Sequence, residues 1–324
     1  MFEITKVNLE QVQLNQGRQI LIKPPLDFQG KTLKDLIISL APMDGLKWIE
    51  EGRFRFQSRA FAADEIIEKG QIIEFDKPPW LEPVVPDHTH VLYQDDSLMV
   101  VEKQAGVPVT PTGDYYCNSL VRLLRSSQAL PDLSPIHRLD LETSGVLIFS
   151  KKVDERAFLQ RQFQAQQVKK KYSAMVFGHL EPGIKQLHGC YRKGVDSRIF
   201  SKWQAVKSGG KECRTRILSV RHWREFSILE LMPVTGRTNQ LRAQLSEIGH
   251  PIVGDKKYYF DENVYLDWIA NRRISRIIKQ TLLSSHALHA ASISIVHPVN
   301  RVPMQFDSKI DAVQYYKKTL QPSS

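Results

Sequence analysis

The chain predicts an α+β protein: a mixed, largely antiparallel β-sheet flanked by helices, preceded by a small N-terminal α+β module. Three observations carry that expectation. Stretches rich in β-branched and aromatic residues recur from residue 89 onward, the composition that suits a pleated, half-buried surface. Helical spacings fall between them without a strict strand-helix-strand rhythm, so a doubly wound parallel sheet is not signalled. A proline-dense run, DKPPWLEPVVPDH from Asp76 to His88, divides the chain.

The N-terminal module spans 1–76. TLKDLIISLAP places Leu33, Leu36, Ile37 and Leu40 at helical spacing. KWIEEGRFRFQSRAFAADEIIEKGQIIEF then reads as a short helix, a turn at Gly52, and strands near residues 53–56 and 71–75. The module is similar to a small RNA-binding module found in a ribosomal small-subunit protein and in tyrosyl-tRNA synthetases. Residues 77–88 read as a linker, because Pro78, Pro79, Pro83 and Pro86 each lack a backbone donor and fix φ.

The large domain spans 89–318. Its strands are expected in VLYQDDSLMVVEK, GVLIFSKK, KYSAMVFG, FSILELMPV and ASISIVHP. Helices are expected in ERAFLQRQFQAQ, with apolar Ala157, Phe158 and Phe163, and in NQLRAQLSEIG, with Leu241, Leu245 and Ile248 on one face and Gly249 as the stop. DENVYLDWIANRRISRIIKQTLL gathers Arg272, Arg273, Arg276 and Lys279 around Ile274, Ile277 and Ile278, a basic amphipathic helix. Its charged face suits either solvent or an RNA backbone.

With 324 residues and 42% hydrophobic content the chain can bury a sizeable core. Forty-five Lys and Arg against 35 Asp and Glu give a formal charge of +10, which favours a polyanionic partner, nucleic acid before an acidic surface. The start MFEITKVNLEQVQ lacks the basic, apolar pattern of a secretory signal, and no run has the roughly 20 apolar residues of a membrane span. A soluble, cytoplasmic protein without a membrane partner is therefore expected. Cys117, Cys190 and Cys213 are odd in number and far apart, which fits reduced thiols. Without a Cys-x-x-Cys pair, and with His188 and Cys190 standing alone, no metal site is expected.

The chemistry concentrates in SPIHRLDLETSGVLIFS, residues 134–150. Asp140 could ligate a metal, exchange a proton or attack an electrophilic carbon. Metal chemistry needs further ligands, and Glu142 would point to the opposite face of an extended segment. Glycoside hydrolysis needs a pair of carboxylates that this stretch does not supply. Ser144 sits in Thr-Ser-Gly rather than Gly-x-Ser-x-Gly, so no hydrolase nucleophile elbow is signalled. A structural ion pair between Asp140 and a neighbouring Arg stays open.

HRLDLETSGVLIFSKK resembles the His-Arg-Leu-Asp-x-x-Thr-Ser-Gly signature of the RluA family of RNA pseudouridine synthases. Four further segments match that family in order: VVEKQAGVPVTP its Lys-Pro-x-Gly segment, KKYSAMVFG its Lys-x-Tyr strand, PVTGRTNQLRAQLSEIGHPIVGDKKY its Thr-Gly-Arg-x-His-Gln-Leu-Arg segment, and HAASISIVHP its closing strand. The resemblance implies that 89–318 is a catalytic domain that isomerises uridine to pseudouridine, in large-subunit rRNA ahead of tRNA, as a monomer. The reaction is redox-neutral, so no cofactor is expected. Asp140 takes the place of the catalytic nucleophile or base, with its mode of action open, and Arg242 that of its ion-pair partner. Tyr172 matches a ring stacked on the target base, and Ile293 an apolar side chain closing the base's other side. Arg138 matches a residue that enters the space left by the extruded nucleotide, and Arg237 is expected to contact RNA. His137 is expected to order the loop rather than titrate, while the hydroxyls of Thr143 and Ser144 satisfy loop amides. The chain departs from the pattern at Gln104, where Pro is usual, and at Thr110 and Asn239, where His is frequent; none of the three is an expected partner of Asp140. The basic stretch 260–284 looks longer than the family's connection and is a candidate for target recognition. A non-catalytic RNA-binding or ribosome-assembly protein on the same fold is the competing expectation.

Overall fold

The structure, a computed structural model, describes residues 5–40, 44–194, 196–271 and 274–321. They form two compact units: Val12–Pro83, and residues 5–11 together with 84–321. Strand β1 (Thr5–Asn8) comes first. The small unit follows as β2 (Leu14–Asn15), β3 (Arg18–Ile22), α1 (Leu33–Leu40), α2 (Gly45–Glu50), β4 (Phe54–Phe56), β5 (Arg59–Ala60), β6 (Ile73–Lys77) and β7 (Trp80–Leu81). Strands β3, β6, β4 and β5 form an antiparallel sheet in that order, and β2 and β7 a two-stranded ribbon. Leu33, Leu36 and Ile37 are buried as the helical spacing predicts, while Leu40 at the helix end is exposed.

The larger unit continues with β8 (His88–Gln94), β9 (Leu98–Lys103), α3 (Leu120–Ser127), β10 (Ser134–Pro135), β11 (Ser144–Ser150), α4 (Val153–Gln164), β12 (Lys169–Phe177), β13 (Gln186–Lys193), β14 (Trp203–Val206), β15 (Lys211–Trp223), β16 (Phe226–Pro233), α5 (Gln240–Glu247), α6 (Glu262–Asn271), α7 (Ile274–Thr281), β17 (Leu288–Val296), β18 (Pro303–Asp307) and α8 (Ala312–Thr319). Its sheet runs β1-β8-β9-β11-β17-β12-β16-β15-β13-β14, with β10 beside β11 and β18 beside β17. Among the described residues, only β11 and β17 pair in parallel within this sheet. The protein is thus α+β with a mixed, largely antiparallel sheet.

The domain boundaries differ from those read in the sequence. Residues 5–8 do not belong to the N-terminal module: β1 pairs with β8 in the large sheet. The stretch read as a linker, 77–88, holds the end of β6 and all of β7. Because Pro79 and Pro83 have no N–H to donate, the segment supports only a two-residue ribbon strand between them.

Strand β11 occupies the middle of the sheet, and Gly145 to Ser150 are all buried. Leu147 and Phe149 pack into one apolar cluster and Val146 and Ile148 into another, which is why this strand reads as a continuous hydrophobic run. Its first residues approach β17 closely. Gly145 has φ +114, and a Cβ there would lie 2.3 Å from the Ala290 carbonyl oxygen, so only glycine fits.

Helix α4 buries Leu159 and Gln162, and Ala157 is exposed, a face rotated from the predicted one. Helix α5 buries every residue from Gln240 to Leu245, so its polar side chains must find partners inside the protein. Ile248, expected on the buried face, is 37% exposed. The basic stretch predicted as one helix forms two, α6 and α7. Ile277 is buried there, Ile274 and Ile278 are exposed, and Arg272 and Arg273 lie outside the described residues.

Candidate active site

A cavity of about 470 Å³ opens in the larger unit between the loop before β11, strand β12, the segment from β16 into α5, and the start of β17. Asp140, Tyr172, Arg242, Arg138 and Arg237 all line it. Five of the six residues singled out from sequence therefore share one wall. Ile293 does not: it is 2% exposed and packed with Ile136, Leu159 and Val168, because α4 and the loop before Asp140 cover that part of β17. The apolar side chain of β17 on the cavity wall is Leu288.

Asp140 reaches the cavity from a short turn, in which the Thr143 amide donates to the Asp140 carbonyl at 3.1 Å. Its Oδ2 accepts from Arg242 Nη1 at 2.9 Å and from Asn239 Nδ2 at 2.6 Å. Oδ1 accepts no hydrogen bond among the described residues. Asn239, a departure in the sequence not expected to touch the acid, is thus its direct partner. It caps α5 with φ 53 and leaves the helix amides alone, so its side chain is free to reach the carboxylate. Asparagine is one of the few residues that tolerate this backbone region.

Arg242 is held from its other side. Its Nε donates to Asp255 Oδ2 at 2.6 Å and its Nη2 to Asp255 Oδ1 at 2.9 Å, a two-pronged grip that fixes the guanidinium plane. The Lys257 and Tyr258 amides also donate to Asp255 Oδ1, at 3.1 and 3.0 Å. The Tyr258 ring lies 5.0 Å from the guanidinium carbon. Burial alone would push the Asp140 carboxyl up, yet the Arg242 charge, the His286 ring and the bonds from Arg242 and Asn239 hold it below the ordinary carboxylate value. Asp255 is depressed further, its burial overcome by the Arg242 charge and hydrogen bonds.

Tyr172 stands half-buried on β12, and its phenol is pushed far up by burial and then by the Asp140 charge. It presents a neutral ring. Arg138 is exposed and takes no partner among the described residues. Arg237 is exposed too, its Nε 3.5 Å from the Glu212 carbonyl. The His137 ring stacks on Phe163 at 5.0 Å and accepts from the Ile148 amide. Burial, aided by the Lys170 charge, pulls its pKa down to about 3, so it orders the loop as a neutral ring.

Lys103 and Lys170 were not singled out in the sequence, and Glu142, Thr143 and Ser144 have partners other than those expected there. Lys103, fully buried, donates to the carbonyls of Gln104, Leu141 and Thr143 at 2.7 to 3.0 Å and so ties down the Asp140 turn. Glu142 is ion-paired with Lys256 and accepts from the His286 amide. The Thr143 and Ser144 hydroxyls bond His286 and His289 at 2.7 and 2.8 Å rather than loop amides. Lys170, two residues before Tyr172, also lines the cavity; the Lys-x-Tyr spacing was the available signal, since alternate strand residues share a face. Among the described residues no group of three or more His, Cys, Asp or Glu is placed to hold a metal, and no helix is long and apolar enough to cross a membrane.

The fold and the sequence resemble those of proteins that modify RNA. The family model for RNA pseudouridylate synthase matches residues 97–247. The chain is 31% identical to the dual-specificity RNA pseudouridine synthase RluA of Haemophilus influenzae, over 74% of this chain and 99% of that one. It is 27% identical to ribosomal large subunit pseudouridine synthase C of Vibrio cholerae, over 82% of this chain and 83% of that one. Among solved structures, the human RNA pseudouridylate synthase domain containing 1 shares the fold with a TM-score of 0.54 at 21% identity, covering 75% of this chain and 99% of that one. The chain belongs to the RluA family of RNA pseudouridine synthases, isomerases that convert uridine to pseudouridine in RNA.

Proposed function

We propose that this enzyme isomerises specific uridines of structured RNA, large-subunit rRNA ahead of tRNA, with Asp140 as the group that acts at the sugar-base junction. In the reaction the C1′–N1 bond breaks and a C1′–C5 bond forms; the proton on C5 is lost and N1 gains one, so nothing is oxidised or reduced. One observation carries the reading. Asp140 has Oδ2 fixed by Arg242 and Asn239 while Oδ1 stays unbonded in a cavity lined by Tyr172 and Leu288. An anion so placed can attack C1′ or remove a proton.

Tyr172 and Leu288 both line the cavity and offer a planar base a ring and an apolar side chain to pack on. A uridine within a folded stem or loop must leave its stack first, at a cost of a few kcal/mol. Arg138, unpaired at the rim, is suited to occupy the gap it leaves, and Arg237 to meet the backbone. Support for rRNA comes from coverage: the relative named for the large ribosomal subunit aligns over more of this chain than the dual-specificity one.

The test is release of tritium from rRNA transcripts labelled at uridine C5. Release by the wild-type enzyme, reduced to background in Asp140→Asn with RNA binding retained, is expected. Full release by Asp140→Asn would overturn the assignment of Asp140.

A further inference from the structure

Lys170 is a cation without an anion. Its ammonium lines the same cavity as Asp140 and Tyr172, yet it makes no hydrogen bond and no ion pair among the described residues. Its surroundings offer little compensation: its cross-strand neighbour is the buried Ile293, and His137, on the same wall, is neutral. Burial accordingly pulls the Lys170 pKa below the usual lysine range. Across the cleft, a Cβ added to Gly236 would lie 3.2 Å from its Nζ, so the ammonium extends over a bare stretch of backbone. Lys170 is half-buried, so in the free protein only water in the cavity meets the ammonium, and an anion brought from outside the chain would stabilise it further.

We infer that Lys170 is the in-cavity contact to the phosphodiester adjoining the extruded uridine. The inference rests on the reading of the site as one that takes a uridine out of folded RNA. Two negative groups could meet Lys170 there. The uracil carries charge only while detached from the sugar, whereas a phosphodiester is charged from first encounter and flanks any extruded nucleotide. Only the latter offsets the cation for the whole time that RNA is bound. Lys170 and Tyr172, two positions apart on one strand face, would then grip backbone and base of the same nucleotide.

Binding of an unmodified large-subunit rRNA transcript, measured across about 50 to 200 mM salt for wild type, Lys170→Met and Lys170→Arg, tests this. Lys170→Met is expected to bind more weakly, with the slope of log K against log salt shallower by about 0.7 to 0.9, one phosphate contact. Its melting temperature is expected at or above the wild-type value, since an unpaired charge is removed. Lys170→Arg should restore the slope. An unchanged slope, or a loss confined to kcat, would overturn the phosphate assignment. Tritium release by the wild type on the same transcript reports separately on the underlying reading.

Discussion

Arg242 and Asp255 are joined by two N–H···O bonds, of 2.6 and 2.9 Å, deep enough that Asp255 is fully buried. Asp140, the other carboxylate on the same guanidinium, receives one bond and keeps 29% of its side chain exposed. Arg242 is therefore anchored by one acid and presented to the other.

That asymmetry sets a stability prediction. Arg242→Gln leaves Asp255 buried without its cation, and the loss of one partner of such a pair costs roughly 3–5 kcal/mol. Asp255→Asn in the same background removes the stranded charge. The double variant is expected to be less destabilised than the sum of the singles by roughly 1–3 kcal/mol, as read by urea unfolding. Additive losses would mean that the two bonds are not a unit.

The same guanidinium sets the acid side of the pH profile. Asp140 is held below its ordinary value of 3.8, and the proposed reaction uses its ionised form. Activity should be level from about pH 5 to 7 and fall only in the carboxylate range. The contribution of Asp140 and Asp255 to folding follows the same sign: both are depressed in the fold, so it is fully present above their ordinary 3.8 and lost as pH falls through the lowered values. In Arg242→Gln, burial acts on Asp140 with less opposition, and the acid limb should move up by about a unit or more. A limb at the wild-type position would show that Arg242 does not set the charge of Asp140.

Gly145→Ala tests the close approach of β11 to β17 just after the Asp140 turn. A methyl 2.3 Å from the Ala290 carbonyl, at φ +114, cannot be absorbed by a side-chain shift, because both obstacles are backbone. A loss of roughly 3 kcal/mol or more is expected by thermal or urea unfolding. A variant as stable as wild type would mean that β11 and β17 do not pair in this register.

How much of this was legible beforehand follows the reach of each interaction. Asp140, Tyr172 and Arg242 stand in short contiguous signatures, and all three line the cavity. Ile293 lies on β17 opposite Lys170, a neighbour of Tyr172, but whether α4 covers it is decided by tertiary packing, and it does. The Thr143 and Ser144 hydroxyls find histidines 143 and 145 residues away, a pairing no local pattern encodes. Strand β15 escaped notice because only Cys213, Thr215 and Ile217 are buried, and the alternation is masked by Lys and Arg at outward positions. The sheet class survived that omission, since the apolar central strands already implied it.

Asn239 offers the sharpest test of how Asp140 is kept ionised. It donates to Oδ2 at 2.6 Å, on the same oxygen that Arg242 holds. Asn239→Asp is nearly isosteric, yet it exchanges the donor for a second acid against the first. Two carboxylates at that separation share a proton, so one of the pair stays protonated well above the ordinary range. The acid limb of kcat/KM should therefore shift by about two units or more, with activity depressed at neutral pH and partly recovered in alkali. Asn239→Ala removes the bond without adding a charge and should move the limb by a smaller amount in the same direction. An unshifted profile in Asn239→Asp, in a variant shown by its melting curve to be folded, would mean that Asn239 does not touch the Asp140 carboxylate in solution.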